Sequence, residues 1–354
     1  MRTPVGRRRA DRKREPLTAP VLFGAPSFTQ PTFTEHTGMI KTELNYGDVY
    51  LVPRKTLVDS RKECDTSVTF GPRRFTMPIY PANMKSVVDA ETCEYFARRG
   101  WFYTMHRFNV DAVAFTADMQ QKGLFASISA GVNEDTVEQL NALKAAGLTP
   151  EYITLDIANA WCVKAERMIK TIKDLFPETF LIGGNIATAE AARDLESWGC
   201  DAIKAGIAGG RVCITKNKTG FHRPMVSTVS DCASAVSVPV IADGGISEHG
   251  DMAKALACGA TMIMAGSLFA GYDESAGNIV EINGKHYKEY FGSASQFNKG
   301  AYVNVEGKKI LVEYKGSIAK LLVELQEDLQ SSISYAGGRD LRALRDVEMI
   351  FVPR

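Results

Sequence analysis

From residue 76 onward, short apolar runs alternate with stretches of helical period. The runs are 76–82 (TMPIYPA), 101–106 (WFYTMH), 124–130 (LFASISA), 152–158 (YITLDIA), 179–186 (TFLIGGNI), 202–207 (AIKAGI), 238–245 (VPVIADGG) and 261–268 (TMIMAGSL). Their length, their β-branched and aromatic content and the lack of strict alternation predict strands covered on both faces. Between them, helical spacing of apolar positions predicts helices over 88–99, 110–122, 134–146, 163–175, 187–198, 225–235 and 249–258. A further amphipathic helix is predicted from Ser317 to Ser334, stopped by Gly337 and Gly338.

Eight such strands in tandem predict an α/β chain with a parallel sheet and helices outside it. Right-handed crossovers and the number of strands favour closure into a (β/α)8 TIM barrel over about 76–271. An open doubly wound sheet is the alternative, but no G-x-G-x-x-G follows the first run, so that kind of dinucleotide turn is not signalled. Residues 272–315, rich in Gly, Lys and Glu, read as a flap inserted after the eighth strand, and 316–354 as a C-terminal helix and tail. Residues 39–354 are expected to form a single barrel domain.

Composition narrows the partners. Of 354 residues, 45% are hydrophobic and 23% charged, which excludes disorder and collagen-like repeats. The net charge of +1 argues against a nucleic-acid coat, and the apolar runs fall short of the roughly 18 residues of a membrane span. No nucleic-acid or membrane partner is expected for the barrel. Seven cysteines, an odd number without a C-x-x-C pair, point to free thiols in a reducing compartment, and a cytoplasmic location is expected. Residues 1–38 differ: seven basic and three acidic side chains, broken by five prolines, read as a flexible basic arm. A transit peptide, or a true start at Met39, are the other readings.

In a barrel, chemistry belongs on the loops leaving the C-terminal strand ends. Here those ends carry Asn83 and Met84, His106 and Arg107, Asp156 and Asn159, Asn185, the 208–223 loop, Asp243-Gly244-Gly245, and Gly266-Ser267. Glycines after the last two strands suit a phosphate held on backbone N–H groups, although tight turns would also use them. The 206–221 stretch, GIAGGRVCITKNKTGF, places Cys213 among Arg211, Lys216 and Lys218. Positive charge favours a thiolate, so Cys213 is the candidate nucleophile. The other six cysteines fall mostly on apolar helix faces.

Several stretches together carry a resemblance: NYGDVYLVPRK (45–55), DSRKECD (59–65), PANM (81–84), MHRF (105–108), EYITLDIA (151–158), the Cys-loop (211–221), IADGGI (241–246), MAGSLFA (264–270), YKEYFGSAS (287–295), NVEGKK (304–309) and DLQSSISYAGG (328–338). In order and spacing they resemble the IMP dehydrogenase/GMP reductase family, and within it the compact bacterial-type GMP reductases. Only 109–123 separates the second and third strands, so the regulatory CBS domain that the dehydrogenases insert there is expected to be absent.

The resemblance implies an NADPH-dependent oxidoreductase of purine metabolism that converts GMP to IMP and ammonia through a covalent thioimidate on Cys213. Thr215 and Glu306 match the family's proton-relay residues. Asp243 would hold the ribose, Gly244, Gly245, Gly266 and Ser267 the phosphate, and Gly292 and Ser293 would complete the nucleotide site. NADPH would meet Ser60, Arg61, Arg107, Asp156, Ile157, Ala158, Ser331, Ser332 and Ser334. Carbonyls of Ala208, Gly210 and Cys213 would hold a monovalent cation, K⁺, and a homotetramer is implied. The chain departs from the family's GIGPGRVC by reading GIAGGRVC, where left-handed geometry at Ala208 would be costly. An IMP dehydrogenase without its regulatory domain, and a silent nucleotide-binding relative, are the alternatives.

Overall fold

The computed structural model describes residues 41–293 and 307–353. The arm expected over 1–38, the Met39 start and the relay candidate Glu306 lie outside the described residues. Every element below belongs to the compact unit Glu43–Arg354.

Seven parallel strands make one sheet: β4 Ile79–Pro81, β5 Ser127–Ala130, β6 Tyr152–Asp156, β7 Phe180–Ile186, β8 Ala202–Ala205, β9 Val240–Asp243 and β10 Met262–Ala265. Their order is β4-β10-β9-β8-β7-β6-β5, so the first strand pairs with the last, Ile79 against Ile263, and the sheet curls round as a barrel requires. The remaining place belongs to 101–106. This run is buried throughout but makes a single bridge, Met105 to Ile128, instead of a ladder. On its other side side chains do the closing, with the Phe102 ring 4.8 Å from that of Tyr80.

Eight helices fall where the period put them: α1 Ala90–Arg98, α2 Ala112–Gln121, α3 Glu134–Ala145, α4 Val163–Leu175, α5 Ala189–Trp198, α7 Met225–Ala235, α8 Gly250–Ala257 and α9 Ala319–Tyr335, and the Cys-loop, expected to be irregular, carries a short α6 Thr215–Thr219. Local chemistry sets their ends. Asp89 Oδ1 accepts from Thr92 N at 2.8 Å, and Asp111 and Thr188 cap α2 and α5 in the same way.

Three additions frame the barrel. A hairpin, β2 Val68–Phe70 and β3 Arg73–Phe75, plugs the end where the strands begin. Its Phe70 ring lies 5.2 Å from Phe102 and 5.0 Å from Phe180, and Tyr152 Oη donates to Phe70 O. Gly71 makes the turn at φ +59°, where an added Cβ would also strike the Phe180 ring. Emptying this cluster by Phe70→Ala would cost about 3–5 kcal/mol. A second pair joins β1 Val49–Leu51, early in the compact unit, with β14 Met349–Phe351. The flap is a three-stranded antiparallel sheet: β11 Ile279–Ile282, β12 Lys285–Phe291 and β13 Lys309–Glu313.

Candidate active site

At the C-terminal ends of the strands opens a cleft of about 340 Å³. A second hollow of about 490 Å³ adjoins it and shares Gly209, Gly210, Gly244, Gly266 and Tyr290 with it. Most of the predicted site residues line one or both: Ala208, Gly210, Cys213, Thr215, Asp156, Ile157, Ala158, Arg107, Asp243, Gly244, Gly266, Gly292 and Ser293 in the cleft, Gly245 and Ser267 in the hollow.

Cys213 sits half-buried with its Sγ 3.2 Å from Thr215 Oγ1, on the first residue of α6. The flap reaches this loop directly. Cys213 pairs with Gly307, and Lys308 N donates to Val212 O at 2.9 Å. The other cysteines look different. Cys64, Cys93, Cys200, Cys232 and Cys258 are buried, and burial pushes their thiols up, that of Cys232 to about 12. Of the seven, Cys213 combines partial exposure with a place in the cleft.

Beneath the cleft lies a charge network that periodicity could not reveal. Lys204, in the middle of β8 and 1% exposed, puts its Nζ 2.6 Å from Asp156 Oδ1 and 2.6 Å from Asp243 Oδ2. It also donates to Asn185 Oδ1, and Asn185 Nδ2 donates to Asp243 Oδ2 at 2.8 Å. Asn83 Nδ2 donates to Asp156 Oδ2 at 3.1 Å and to Ser129 Oγ at 2.8 Å. Burial disfavours the Lys204 charge, yet the two carboxylates hold its ammonium above its ordinary range. Burial likewise pushes Asp156 up, and Lys204, Arg107 and Asn83 together outweigh it and hold its carboxyl low. The strand ends had pointed to Asp156, Asp243, Asn83 and Asn185. The lysine joining them was missed; its one signal is a charge inside the apolar run AIKAGI.

The loops show how much backbone freedom the site needs. Gly206, at φ +148°, lets the Asp243 carbonyl come within 2.0 Å of where a Cβ would stand. Ala208 adopts φ +60°, the left-handed conformation whose cost its side chain raises. The N–H groups of Gly244 and Gly245 are already used, donating to Met264 O and Gly209 O at 3.3 and 3.0 Å.

The geometry brings a half-buried thiol, a shared carboxylate network and a glycine-walled hollow to one barrel mouth. Residues 43–353 match the IMP dehydrogenase / GMP reductase domain. The chain belongs to this family. It is 85% identical over 316 residues to a protein of Chromobacterium violaceum named GMP reductase, covering 89% of this chain and all of that one. It is 53% identical over 311 residues to a GMP reductase of Staphylococcus carnosus, covering 87% and 96%. It is 52% identical over 317 residues to one of Bacillus cereus, covering 89% and 97%.

One group of residues that the family resemblance assigned to the cofactor does not reach the cleft. Ser60, Arg61, Ser331, Ser332 and Ser334 line neither it nor the hollow. Arg61 Nη1 donates to Ser331 Oγ at 2.7 Å, Ser332 Oγ to Asp328 O, and Ser334 is buried with its carbonyl accepting from Thr56. Ser60 caps the turn Arg61–Glu63, which leads into the β2–β3 plug at the opposite end of the barrel. Sequence order gave no sign of this split, because it depends on where α9 runs.

Among the described residues, no cluster of three or more His, Cys, Asp or Glu could hold a metal, and no helix is long and apolar enough to cross a membrane.

Proposed function

We propose that this chain is a GMP reductase, converting GMP to IMP and ammonia with NADPH. The observation that carries the reading is Cys213 Sγ beside Thr215 Oγ1 in a cleft walled by Asp156 and Asp243. Asp243 offers a carboxylate whose Oδ2 is fixed by Lys204 and Asn185, leaving Oδ1 to accept from the ribose hydroxyls. The phosphate enters the hollow, where Arg211 and Lys315 supply positive charge and Gly266 and Ser267 line the wall. Because Gly244 and Gly245 have spent their N–H groups, their part is to let the wall come close.

The guanine then lies against Cys213. The Cys213 thiolate adds to C2, the amino group takes a proton and the C–N bond breaks, releasing ammonia and leaving the thioimidate. Thr215, in hydrogen-bond reach of the sulfur, and Glu306 form the relay that moves this proton. Bound NADPH supplies the hydride that replaces the lost nitrogen. The C–S bond then breaks and Cys213 returns to its thiolate.

Two features suit NADPH. Arg107 Nε is buried without a hydrogen-bond partner, its guanidinium lies against Gly131 and Phe108, and the side chain lines the cleft beside Asp156. The Ser60, Arg61 and Ser331 group, remote from this cleft, would serve a cofactor held by another copy of the chain. That division supports a homo-oligomer, and we take the tetramer as its form. The carbonyls of Ala208, Gly210 and Cys213 would hold K⁺, the turned-over conformation of Ala208 being the strain such a loop bears.

The test follows NADPH absorbance with purified protein, GMP and K⁺, with IMP and NAD⁺ in parallel. GMP-dependent NADPH loss with ammonia release is expected. NADH formed from IMP alone would move the chain to the dehydrogenase branch, and silence in both with GMP still bound would make it a binding protein.

A further inference from the structure

Lys288, in the middle of β12, is 4% exposed. A lysine ammonium has three hydrogens to donate, and all three find main-chain carbonyls: Tyr272 O at 2.7 Å, Asp273 O at 3.2 Å, and Ser275 O. The acidic side chains of this turn are engaged elsewhere. The Asp273 carboxylate accepts from Tyr314 Oη, and that of Glu274 accepts from Ser317 Oγ and Ile318 N. No carboxylate oxygen of the described residues comes within ion-pair distance of Lys288. Burial lowers its affinity for the proton, against the more distant pull of Asp273, Asp89 and Glu274. A ring of carbonyl dipoles around one buried positive charge is how proteins hold a monovalent metal ion, and here the ion is tethered to the chain.

Its place in the fold gives the tether a purpose. The turn 272–275, closed by Ser275 N and Oγ on Tyr272 O, follows β10 and starts the flap. Two residues beyond Lys288, Tyr290 Oη stands 2.4 Å from where a Gly266 Cβ would be. Next, Phe291 exchanges hydrogen bonds with Ser86 Oγ. Then Gly292 and Ser293 line the cleft. At about 3.3 Å per residue, Lys288 stands roughly 13 Å from Gly292 along the strand.

We propose that Lys288 acts as a built-in monovalent cation whose carbonyl ring fixes the root of the flap and so positions Tyr290–Ser293 against the substrate. Lys288 is thus a positioning residue. The proposal rests on the reductase reading only for its turnover measurement.

The test compares Lys288→Ala with Lys288→Met in the full-length protein, with and without added propylammonium, which matches the atoms that the alanine variant lacks. Both variants should show a KM for GMP raised about ten- to a hundred-fold, the factor that lost hydrogen bonds to a charge carry, with kcat changed less. Hydrogen exchange over 285–293 should quicken in both. Propylammonium should raise the Tm of Lys288→Ala, restore its slow exchange and lower its KM, and leave wild type and Lys288→Met unmoved. Lys288→Ala that is poorly folded alone should become soluble when purified with propylammonium. Failure of propylammonium to move Tm or exchange in Lys288→Ala overturns the proposal, as does an equal response of Lys288→Met. Since Tm and exchange need no turnover, that failure stays separate from failure of the reductase reading.

Discussion

The barrel and the flap each bury a lysine, and they solve the same problem in different ways. Lys204 lies under the cleft between two carboxylates, Asp156 and Asp243, so the three groups together carry one negative charge. Lys288 lies at the flap root among carbonyls only. The first arrangement favours the charged forms, because the carboxylates hold the Lys204 ammonium and Lys204 in turn holds Asp156 ionised. The second satisfies hydrogen bonds but returns less of the desolvation cost. A third buried base, His106, has neither answer. Burial, with Lys85 nearby, lowers its pKa to about 4, so it stays neutral, its Nδ1 accepting from Phe108 N. A fixed network underlies the cleft at the strand ends. A dipole-held cation underlies the part attached by a sheet outside the barrel.

The contrast breaks most sharply at Lys204. Lys204→Met would leave two half-buried carboxylates without their cation, a loss of about 3 kcal/mol in urea unfolding, at the low end for a broken buried pair, together with loss of turnover. A change below about 1 kcal/mol would mean that water already serves those carboxylates. His106 comes next. Its proton binds near pH 6.5 in the unfolded chain and near 4 in the folded one. Stability is therefore intact above pH 6.5 and falls as pH drops to about 4, by about 3 kcal/mol. His106→Gln should flatten that part of the stability–pH curve, and an unchanged slope would locate the acid sensitivity elsewhere. Lys288→Met should cost about 1–3 kcal/mol in the same unfolding assay, the penalty of buried acceptors left without donors. A loss as large as that of Lys204→Met would erase the distinction between the two lysines. Smallest is Ala208→Gly, expected to stabilise by about 1 kcal/mol because φ +60° suits glycine. No gain in Tm would mean the loop relaxes freely around alanine.

These sites also mark the limit of what sequence pattern discloses. Strand and helix positions were legible because parallel strands buried on both faces read as plain apolar runs, and the predicted helices 134–146 and 163–175 match Glu134–Ala145 and Val163–Leu175. The weak point was 101–106, apolar enough for a strand yet joined by a single bridge, since aromatic packing of Phe102 takes the place of a ladder. The flap sheet was unread, because β11 and β13 are short, largely exposed strands that owe their register to pairing with β12. The β1–β14 pair joins segments about 300 residues apart in the chain, which no local signal encodes. Within the site, the residues at strand ends were legible from topology alone. Lys204 and Lys288 were not, because a charge in an apolar run says nothing of which atoms surround it. The two-part division of the proposed cofactor residues was hidden likewise, since Arg61 and Ser331 meet across 270 residues of chain.

The most direct measurement is turnover of Cys213→Ala set beside its affinity for GMP by calorimetry. The account predicts no GMP-dependent NADPH oxidation and GMP binding close to wild type, because the ribose and phosphate contacts do not involve the sulfur. Retained turnover would contradict covalent catalysis at Cys213.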